Sequence, residues 1–422
     1  MTFDLAIIGA GPAGLSMARA LAGSGLRIAL VEQQDAAALA DPPFDGREIA
    51  LSLRTLRTLR ASGVFDHIPP DQVFPLEHAE VFNGDDPRPM RVSPLRGKEA
   101  LGALVPNQQI RRALWAAVQG QEGLTLFDRN RVGAIQADAQ GVEVELLPVA
   151  DAAQQAGQTG TDAADISPMT LRARMLIAAD SRFSDTRRKM GIGADSHDFG
   201  KTMLVCRMHH EKPHHHTAWE WFGFGQTVAL LPLSEHLSSV VLTLPPHEMQ
   251  ALLTLPEAEF ERDITRRYQG RLGEMHIAGS RHTYSLVGVY AQRFVAPRFA
   301  LIGDAAVGMH PVTAHGFNFG LHGVDLLSRE ILAAQRAGTD IAAPERLHRF
   351  EAAHRRATRP LYLATQAIAT LYTDDRGPAR LVRRLVLDAS SRIGPLRLAI
   401  ATALSEEGLS LRGFLPALPG LR

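Results

Sequence analysis

Leu5-Ala6-Ile7-Ile8-Gly9-Ala10-Gly11-Pro12-Ala13-Gly14 decides how the rest of the chain is read. Phe3 to Ile8 is short, apolar and rich in Ile and Leu, the length of a buried parallel strand. Gly9, Gly11 and Gly14 follow it at once in the spacing G-x-G-x-x-G. Pro12 suits the first turn of a helix, where its missing N–H costs nothing. Leu15 to Leu21 continue that helix, Arg27 to Val31 form a second strand, and Glu32 comes 18 residues after Gly14. The first glycine permits a tight turn, the second a close approach of backbone to a pyrophosphate, the third close packing of helix on strand. The helix start turns free N–H groups and a positive dipole end toward phosphates. An acid about 20 residues on accepts from ribose hydroxyls and disfavours a 2′-phosphate. Three glycines alone are a weak signal; strand, glycines, helix, strand and acid in this order predict a dinucleotide site.

Working outward, the 422 residues suffice for two or three domains. Lys plus Arg balance Asp plus Glu at 45 each, which gives no support for nucleic-acid binding. Cys206 is the single cysteine, so no disulfide forms within the chain and the composition fits a reducing compartment. Met1-Thr2-Phe3-Asp4 lacks a basic leader, and no apolar run reaches the ~18 residues of a membrane span. A soluble cytoplasmic protein is expected, with contact at the inner face of the membrane left open.

Further along, Arg47 to Ser52 leads into a predicted helix over Ser52 to Ala61, and Asn107 to Val118 is a second helix carrying Arg111 and Arg112. Short alternating runs within Pro75 to Val92 read as strands of a second sheet. Leu124 to Phe127 returns to the first sheet, and Val142 to Leu147 alternates. Residues 148–168, rich in Ala, Gln, Gly, Asp and Thr, read as a flexible hairpin extension. Phe199 to Leu244 is mostly strand, 246–270 helical, and the chain is helical from Phe317 almost to its end.

Two later turns reinforce the first. Met175 to Ala178 runs into Ala179-Asp180-Ser181-Arg182-Phe183-Ser184, where Ser184 can equally be a helix cap. Phe299-Ala300-Leu301-Ile302-Gly303-Asp304 ends a buried strand in Gly-Asp, followed by His310-Pro311 and His315-Gly316-Phe317-Asn318. A carboxylate at the end of a parallel strand can accept from a ribityl hydroxyl, and a helix opening at Gly316 would stabilise the anionic pyrimidine of a reduced flavin.

Together the three motifs resemble the flavin-dependent aromatic hydroxylases, the class A flavoprotein monooxygenases, over about residues 1–375. The ubiquinone-biosynthesis branch is similar in Arg47 to Ser52 and in His216 to Phe222 before Val228-Ala229-Leu230-Leu231. The resemblance implies an α/β fold like that of p-hydroxybenzoate hydroxylase: a Rossmann-like FAD-binding domain, an inserted antiparallel β-sheet substrate domain and a helical C-terminus. The expected division is 1–74, 104–196 and 291–375 for the FAD domain, 75–103 and 197–290 for the substrate sheet, and 376–422 for a C-terminal helical region. It implies FAD held by Gly9, Gly11, Pro12, Ala13, Gly14, Glu32, Arg47, Arg111, Asp180, Gly303, Asp304, Pro311, Gly316, Phe317 and Asn318. It also implies reduction by NAD(P)H, although no second G-x-G-x-x-G is present. O₂ then gives a flavin C4a-hydroperoxide that attacks an electron-rich ring, in this branch a polyprenylated phenol or quinol. Two departures stand out: Ala314-His315-Gly316 where the family has Gly-Gln-Gly, and Ala178-Ala179-Asp180-Ser181 where it has Gly-Ala-Asp-Gly.

A phenol is activated by losing a proton, so His315 is the candidate base; the plainer reading is a turn histidine against the flavin. His209, His210, His214, His215 and His216 suggest a metal, but a solvated loop between strands is the preferred reading and no metal is expected. Trp219 and Trp221 are similar to the paired tryptophans of flavin-dependent halogenases, without the Ile-Pro that should follow, and read as pocket wall or sheet packing. A flavin-dependent reductase of a prenyl lipid and a non-catalytic flavin component of a biosynthetic complex remain as alternatives. Leu396 to Leu421 reads either as an amphipathic membrane-contact tail or as a helix packed on the FAD domain, and a homo-oligomer or biosynthetic complex is left open.

Overall fold

The computed structural model describes residues 1–84, 89–94, 98–149, 168–223, 225–310 and 315–373. The chain opens with β1 (Thr2–Ile8), α1 (Pro12–Ala20), β2 (Ile28–Val31), α2 (Ala36–Ala40), β3 (Glu48–Ser52) and α3 (Leu53–Ala61). It continues with β4 (Phe74–Leu76), β5 (His78–Asn83), β6 (Met90–Val92), β7 (Gly102–Pro106), α4 (Asn107–Val118), β8 (Leu124–Phe127), β9 (Asn130–Ala137), β10 (Val142–Pro148) and β11 (Met169–Ala178). After α5 (Asp185–Lys189) come β12 (Ala194–His210), β13 (Thr217–Gly223), β14 (Gln226–Pro232), β15 (Leu237–Leu244), α6 (Pro246–Leu253) and α7 (Glu257–Arg267). The last described elements are β16 (Met275–Ile277), β17 (His282–Ala291), β18 (Val295–Ala296), β19 (Phe299–Leu301), β20 (Val307–Gly308), α8 (Gly316–Arg336) and α9 (Pro344–Thr373).

The first sheet runs β18-β19-β11-β1-β2-β8, with β10 and then β9 added beside β11. Its central pairs are parallel: β19 with β11, β11 with β1, β1 with β2, β2 with β8. Leu5, Ala6, Ile7, Ala29 and Leu30 are wholly buried, which is why these strands are uniformly apolar rather than alternating. The second sheet runs β20-β17-β12-β15-β14-β13-β5-β6, with β16 beside β12. One face carries Phe82, Trp221, Leu230 and Leu242 against Phe260, Ile264 and Tyr268 of the following helical segment. The other face carries Met203, Val205, Val241, Tyr284 and Leu286.

The expected two-part α/β architecture is present, with differences in detail. Arg47 to Ser52 is not merely a lead-in: Glu48–Ser52 is a strand, and the helix starts at Leu53 with the Ser52 hydroxyl accepting from the Thr55 N–H at 3.2 Å. β3, β7 and β4 form a third small sheet, so of the runs between Pro75 and Val92 only β5 and β6 join the second sheet. Residues 150–167 of the predicted extension and the C-terminal tail beyond Thr373 lie outside the described residues. No helix of the described residues is long and apolar enough to cross a membrane.

Candidate functional site

The three turns meet at the carboxyl ends of the parallel strands. Gly9 has φ +101°, and a Cβ there would lie 2.8 Å from the Ala179 carbonyl oxygen and 2.9 Å from the Asp180 Cα. The turn after β1 is thus pressed on the turn after β11, and only glycine fits. A Cβ on Gly14 would fall 1.9 Å from the Gly9 carbonyl oxygen, so α1 sits directly on the strand end. Gly11 differs: a methyl there meets no protein atom within 4 Å. It precedes α1 as an N-cap without a side-chain hydrogen bond. Of the residues between, Pro12 is the first of α1 and Ala13 faces Gly303, whose φ is +59° and whose Cβ would lie 2.6 Å from the Ala13 Cβ.

Glu32 braces this turn from the end of β2. Its Oε2 accepts the Ala10 N–H at 2.7 Å, and Oε1 accepts from Gln33 at 2.8 Å and Gln34 at 3.0 Å. A carboxylate has about four lone-pair sites, so these bonds fix its orientation and leave capacity for a sugar hydroxyl.

The Asp180 turn serves two ends. Ser184 is the cap that its sequence allows, its hydroxyl accepting the Arg187 N–H at 2.9 Å. Asp180 Oδ2 accepts from Thr186 at 3.4 Å, while Oδ1 is buried with no hydrogen-bond partner among the described residues. Arg187 is buried and donates through Nη1 to the carbonyls of Arg182 at 3.1 Å and Ala305 at 2.9 Å. Arg182 pairs with Asp304 at 3.2 Å and donates to the Val287 carbonyl at 3.1 Å, tying the second and third turns to β17. Sequence reading passed over both arginines because their spacing carries no pattern; only the fold gives them partners more than 100 residues away.

The N-terminus of α8 closes the site. Asn318 accepts the Ser52 N–H through Oδ1 at 3.1 Å and donates through Nδ2 to the Ala50 carbonyl at 2.9 Å, clamping β3. Gly316 and Phe317 begin the helix, and Phe317 packs on the main core. His315 is buried just ahead of them, its carbonyl accepting the Phe319 N–H at 2.9 Å and its ring 5.7 Å from that of Phe319. Pro311 lies outside the described residues.

Two cations flank the turns. Arg47 is gripped by Asp45 at 2.6 Å, and Asp45 also accepts from Asn107 at 2.8 Å. The Tyr284 hydroxyl donates to the Asp45 carbonyl at 2.6 Å, and the Arg47 guanidinium stands 5.4 Å over the Tyr284 ring. Burial works against the charge of Arg47, but Asp45, then Tyr284 and Asp304, raise its pKa overall. Arg111 donates to the Gln34 side chain at 3.2 Å; burial lowers its pKa, and Asp45 and Glu32 act in the opposite sense. Arg47, Arg111, Glu32 and Asp304 therefore lie within electrostatic reach of one region. The sequence did not single out Asp45, nor the buried pair of Glu48 with Arg207 at 2.7 Å that pins β3 under the second sheet.

Elsewhere two readings are settled by packing. The histidines are a solvated loop only in part: His209 and His215 are exposed and His216 is half-buried. His210 and His214 are buried, with His210 bonded to the Lys212 carbonyl at 2.8 Å and the Ser238 hydroxyl at 2.9 Å, and His214 to the Ser234 carbonyl at 2.8 Å. Burial pushes the His210 pKa down to about 4. Among the described residues no three His, Cys, Asp or Glu side chains are grouped to hold a metal. Trp221 stacks on Phe82 at 4.9 Å and donates to the Gly84 carbonyl at 2.9 Å, which makes it sheet packing on the helix-covered face.

The residues present fit a flavin dinucleotide: an open Gly11 backbone, a braced acid at Glu32, an orphan buried oxygen on Asp180 and a helix start at Gly316.

Comparison with known proteins agrees. Residues 2–361 match the family described as FAD binding domain. The ubiquinone hydroxylase UbiM of Neisseria meningitidis is 40% identical over 410 residues, covering 95% of this chain and 84% of that protein. The ubiquinone hydroxylase UbiL of Rhodospirillum rubrum is 33% identical over 394 residues, covering 93% and 87%. Among solved structures, p-nitrophenol 4-monooxygenase PnpA from Pseudomonas putida superposes with a TM-score of 0.74 at 17% identity, over 96% of this chain and 98% of that one.

Proposed function

Given that the chain belongs to the FAD-binding-domain family, we propose that this FAD-dependent aromatic hydroxylase acts on the ring of a polyprenylated phenol or quinol on the way to ubiquinone. One observation carries the reading: the Gly9, Asp180 and Asp304 turns and the start of α8 converge beneath the Tyr284 face of the second sheet. The 40% identity to a protein named a ubiquinone hydroxylase supports the substrate class.

In this reading Gly11 admits the pyrophosphate, Glu32 accepts from the ribose, and Asp304 accepts from the ribityl chain. Pro12, Ala13, Gly14 and Gly303 hold the turn, and Arg47, Arg111 and Asp180 supply polar contacts. The N–H groups of Gly316, Phe317 and Asn318 face the negative charge of the reduced ring. Bound FAD supplies the activation of O₂ and the transfer of one oxygen atom, and NAD(P)H is the proposed reductant. The protein's share is to hold the substrate ring under the sheet, exclude water and manage its hydroxyl proton. His315 is one proposed proton acceptor; unchanged reduction and hydroxylation rates in His315→Ala would remove it. The division into FAD segments 1–74, 104–196 and 291–375 around the sheet segments is retained as a proposal. So are a cytoplasmic location with peripheral contact at the inner membrane face, a homo-oligomer or biosynthetic complex, and membrane contact by Leu396 to Leu421.

Purified protein offered FAD should turn yellow with one flavin per chain, and should couple NADH or NADPH oxidation to a hydroxylated phenol. Cells lacking the gene should accumulate a ubiquinone precursor short of one hydroxyl. Folded protein that stays colourless, or an unchanged quinone profile, would overturn the reading.

A further inference from the structure

The loop between α2 and β3 carries Arg47, and three side chains of the second sheet reach it. The Tyr284 hydroxyl of β17 donates to the Asp45 carbonyl at 2.6 Å. The His282 ring, two residues earlier on that strand, lies 5.7 Å from the Phe44 ring. A Cβ on Gly46, whose φ is +73°, would fall 2.7 Å from the His282 ring, so only glycine fits there. From β12 the Arg207 guanidinium stands 4.7 Å over the Phe44 ring and pairs with Glu48 at 2.7 Å. The register puts the three on one face: Met203 lies opposite Tyr284, Val205 opposite His282, and Arg207 is two residues past Val205.

Within the loop Asp45 is the hub. Its Oδ1 accepts the Arg47 backbone N–H at 3.1 Å. Its Oδ2 accepts Arg47 Nε at 3.0 Å, Arg47 Nη2 at 2.6 Å and the Asn107 side chain at 2.8 Å. The Arg47 carbonyl in turn accepts the Asn107 N–H at 2.9 Å. Asp45 therefore takes one edge of the guanidinium. Nη1 makes no hydrogen bond among the described residues, and 41% of the Arg47 side chain is exposed. An arginine locked along one edge and open along the other is preset for an anion, because its planar fork loses little freedom on binding.

Tyr284 both anchors this hub and touches the arginine. Its hydroxyl holds the peptide that carries the Asp45 carboxylate, and its ring lies 5.4 Å from the guanidinium above it. The ring is itself braced from the sheet, where it packs against Met203, Val205 and Leu286. Resting on the reading that Arg47 contacts the cofactor, we infer that Tyr284 is a positioning residue for FAD. Through the Asp45 carbonyl and the face of its ring it sets Arg47 so that the open edge of the guanidinium meets the pyrophosphate, the anionic part of the dinucleotide. The second sheet is then part of the FAD site as well as the bed for a substrate ring, and a shift of β17 is felt as weaker FAD binding.

The test is FAD affinity in low and high salt, read by quenching of FAD fluorescence as flavin-free protein is titrated in. Arg47→Met should raise Kd about 100-fold in low salt and flatten its salt dependence. Tyr284→Phe, which loses the hydroxyl alone, should raise Kd about fivefold. Tyr284→Leu, which also loses the ring face, should raise it about 30-fold with the same flattening. In the Arg47→Met background Tyr284→Leu should add less than about threefold, since the contact it serves is already gone. A tyrosine that merely supports the fold would weaken FAD equally with and without Arg47 and leave the salt dependence of the wild type. Wild-type affinity in Tyr284→Leu, or its full loss repeated on top of Arg47→Met, overturns the proposal. If Tyr284→Leu does not fold, Tyr284→Phe is judged in the same cycle, and a fivefold loss that persists without Arg47 is equally fatal. An Arg47→Met protein that binds FAD as the wild type does removes the assignment of Arg47, and the proposal with it. A weakened Arg47→Met beside unaffected Tyr284 variants removes the proposal alone.

Discussion

Gly11→Ala and Gly14→Ala form a matched pair that separates cofactor contact from packing. At Gly14 an added Cβ starts 1.9 Å from the Gly9 carbonyl oxygen, where ordinary contact begins at 3.4 Å, so α1 must retreat by about 1.5 Å, the difference of the two. Overpacking of this kind costs about 1–3 kcal/mol, offset by at most ~1 kcal/mol of helix propensity. At Gly11 the methyl meets nothing within 4 Å, and φ −72° with ψ −179° is open to alanine. Loss of an N-cap glycine and gain from a stiffer unfolded chain are each under about 1 kcal/mol and opposed, so the flavin-free protein should change by less than ~0.5 kcal/mol. The same methyl intrudes where a pyrophosphate would approach, and a cost of about 3 kcal/mol there is roughly 150-fold in Kd. Urea unfolding of flavin-free protein gives the first quantity, and quenching of FAD fluorescence on titration gives the second. Gly11→Ala with wild-type FAD affinity, or with a stability loss equal to that of Gly14→Ala, would refute the assignment of the two glycines.

Three further outcomes are expected. The Cys206 thiol is buried and pushed up to about 12, so Ellman's reagent should titrate no thiol in the native protein and one after denaturation; because the folded pKa is raised above 9.0, its share of stability is intact below pH 9 and lost as pH climbs toward 12. Burial lowers His354 to about 3, so its contribution is present above pH 6.5 and lost as pH falls toward 3; His354→Phe should move the acid-unfolding midpoint to lower pH, and an unmoved midpoint would rule this out. Glu48 is fully enclosed opposite Arg207, so Arg207→Met alone should cost about 3 kcal/mol and adding Glu48→Leu should recover most of it; additive losses in denaturant titrations would contradict the pairing.

The first sheet was readable because its signals are local: an apolar run, three glycines and an acid within 32 residues. β3 was hidden because Glu48 to Ser52 flows into a helix without a break in polarity, and its partner β7 lies more than 50 residues on. His210 and His214 were misread since histidines in a row look wet; carbonyl and hydroxyl partners that take them into the interior come from the Lys212 turn and from the 234–238 segment across the hairpin. Asp45, Arg182 and Arg187 show no spacing at all, because what they grip is set by tertiary contact.

The first sheet draws its parallel strands from both ends of the described chain, with β1 completed on one side by β11 and then by Phe299–Leu301. On the ribosome, β11, complete at residue 178, must wait for residue 299, an interval of 121 residues or about 6–24 s at bacterial synthesis rates. During that interval the apolar carboxyl half of β11 has no permanent neighbour on one flank. A nascent chain of this design is a natural client for holding chaperones, and fragments ending before residue 299 should aggregate rather than yield a smaller nucleotide-binding unit.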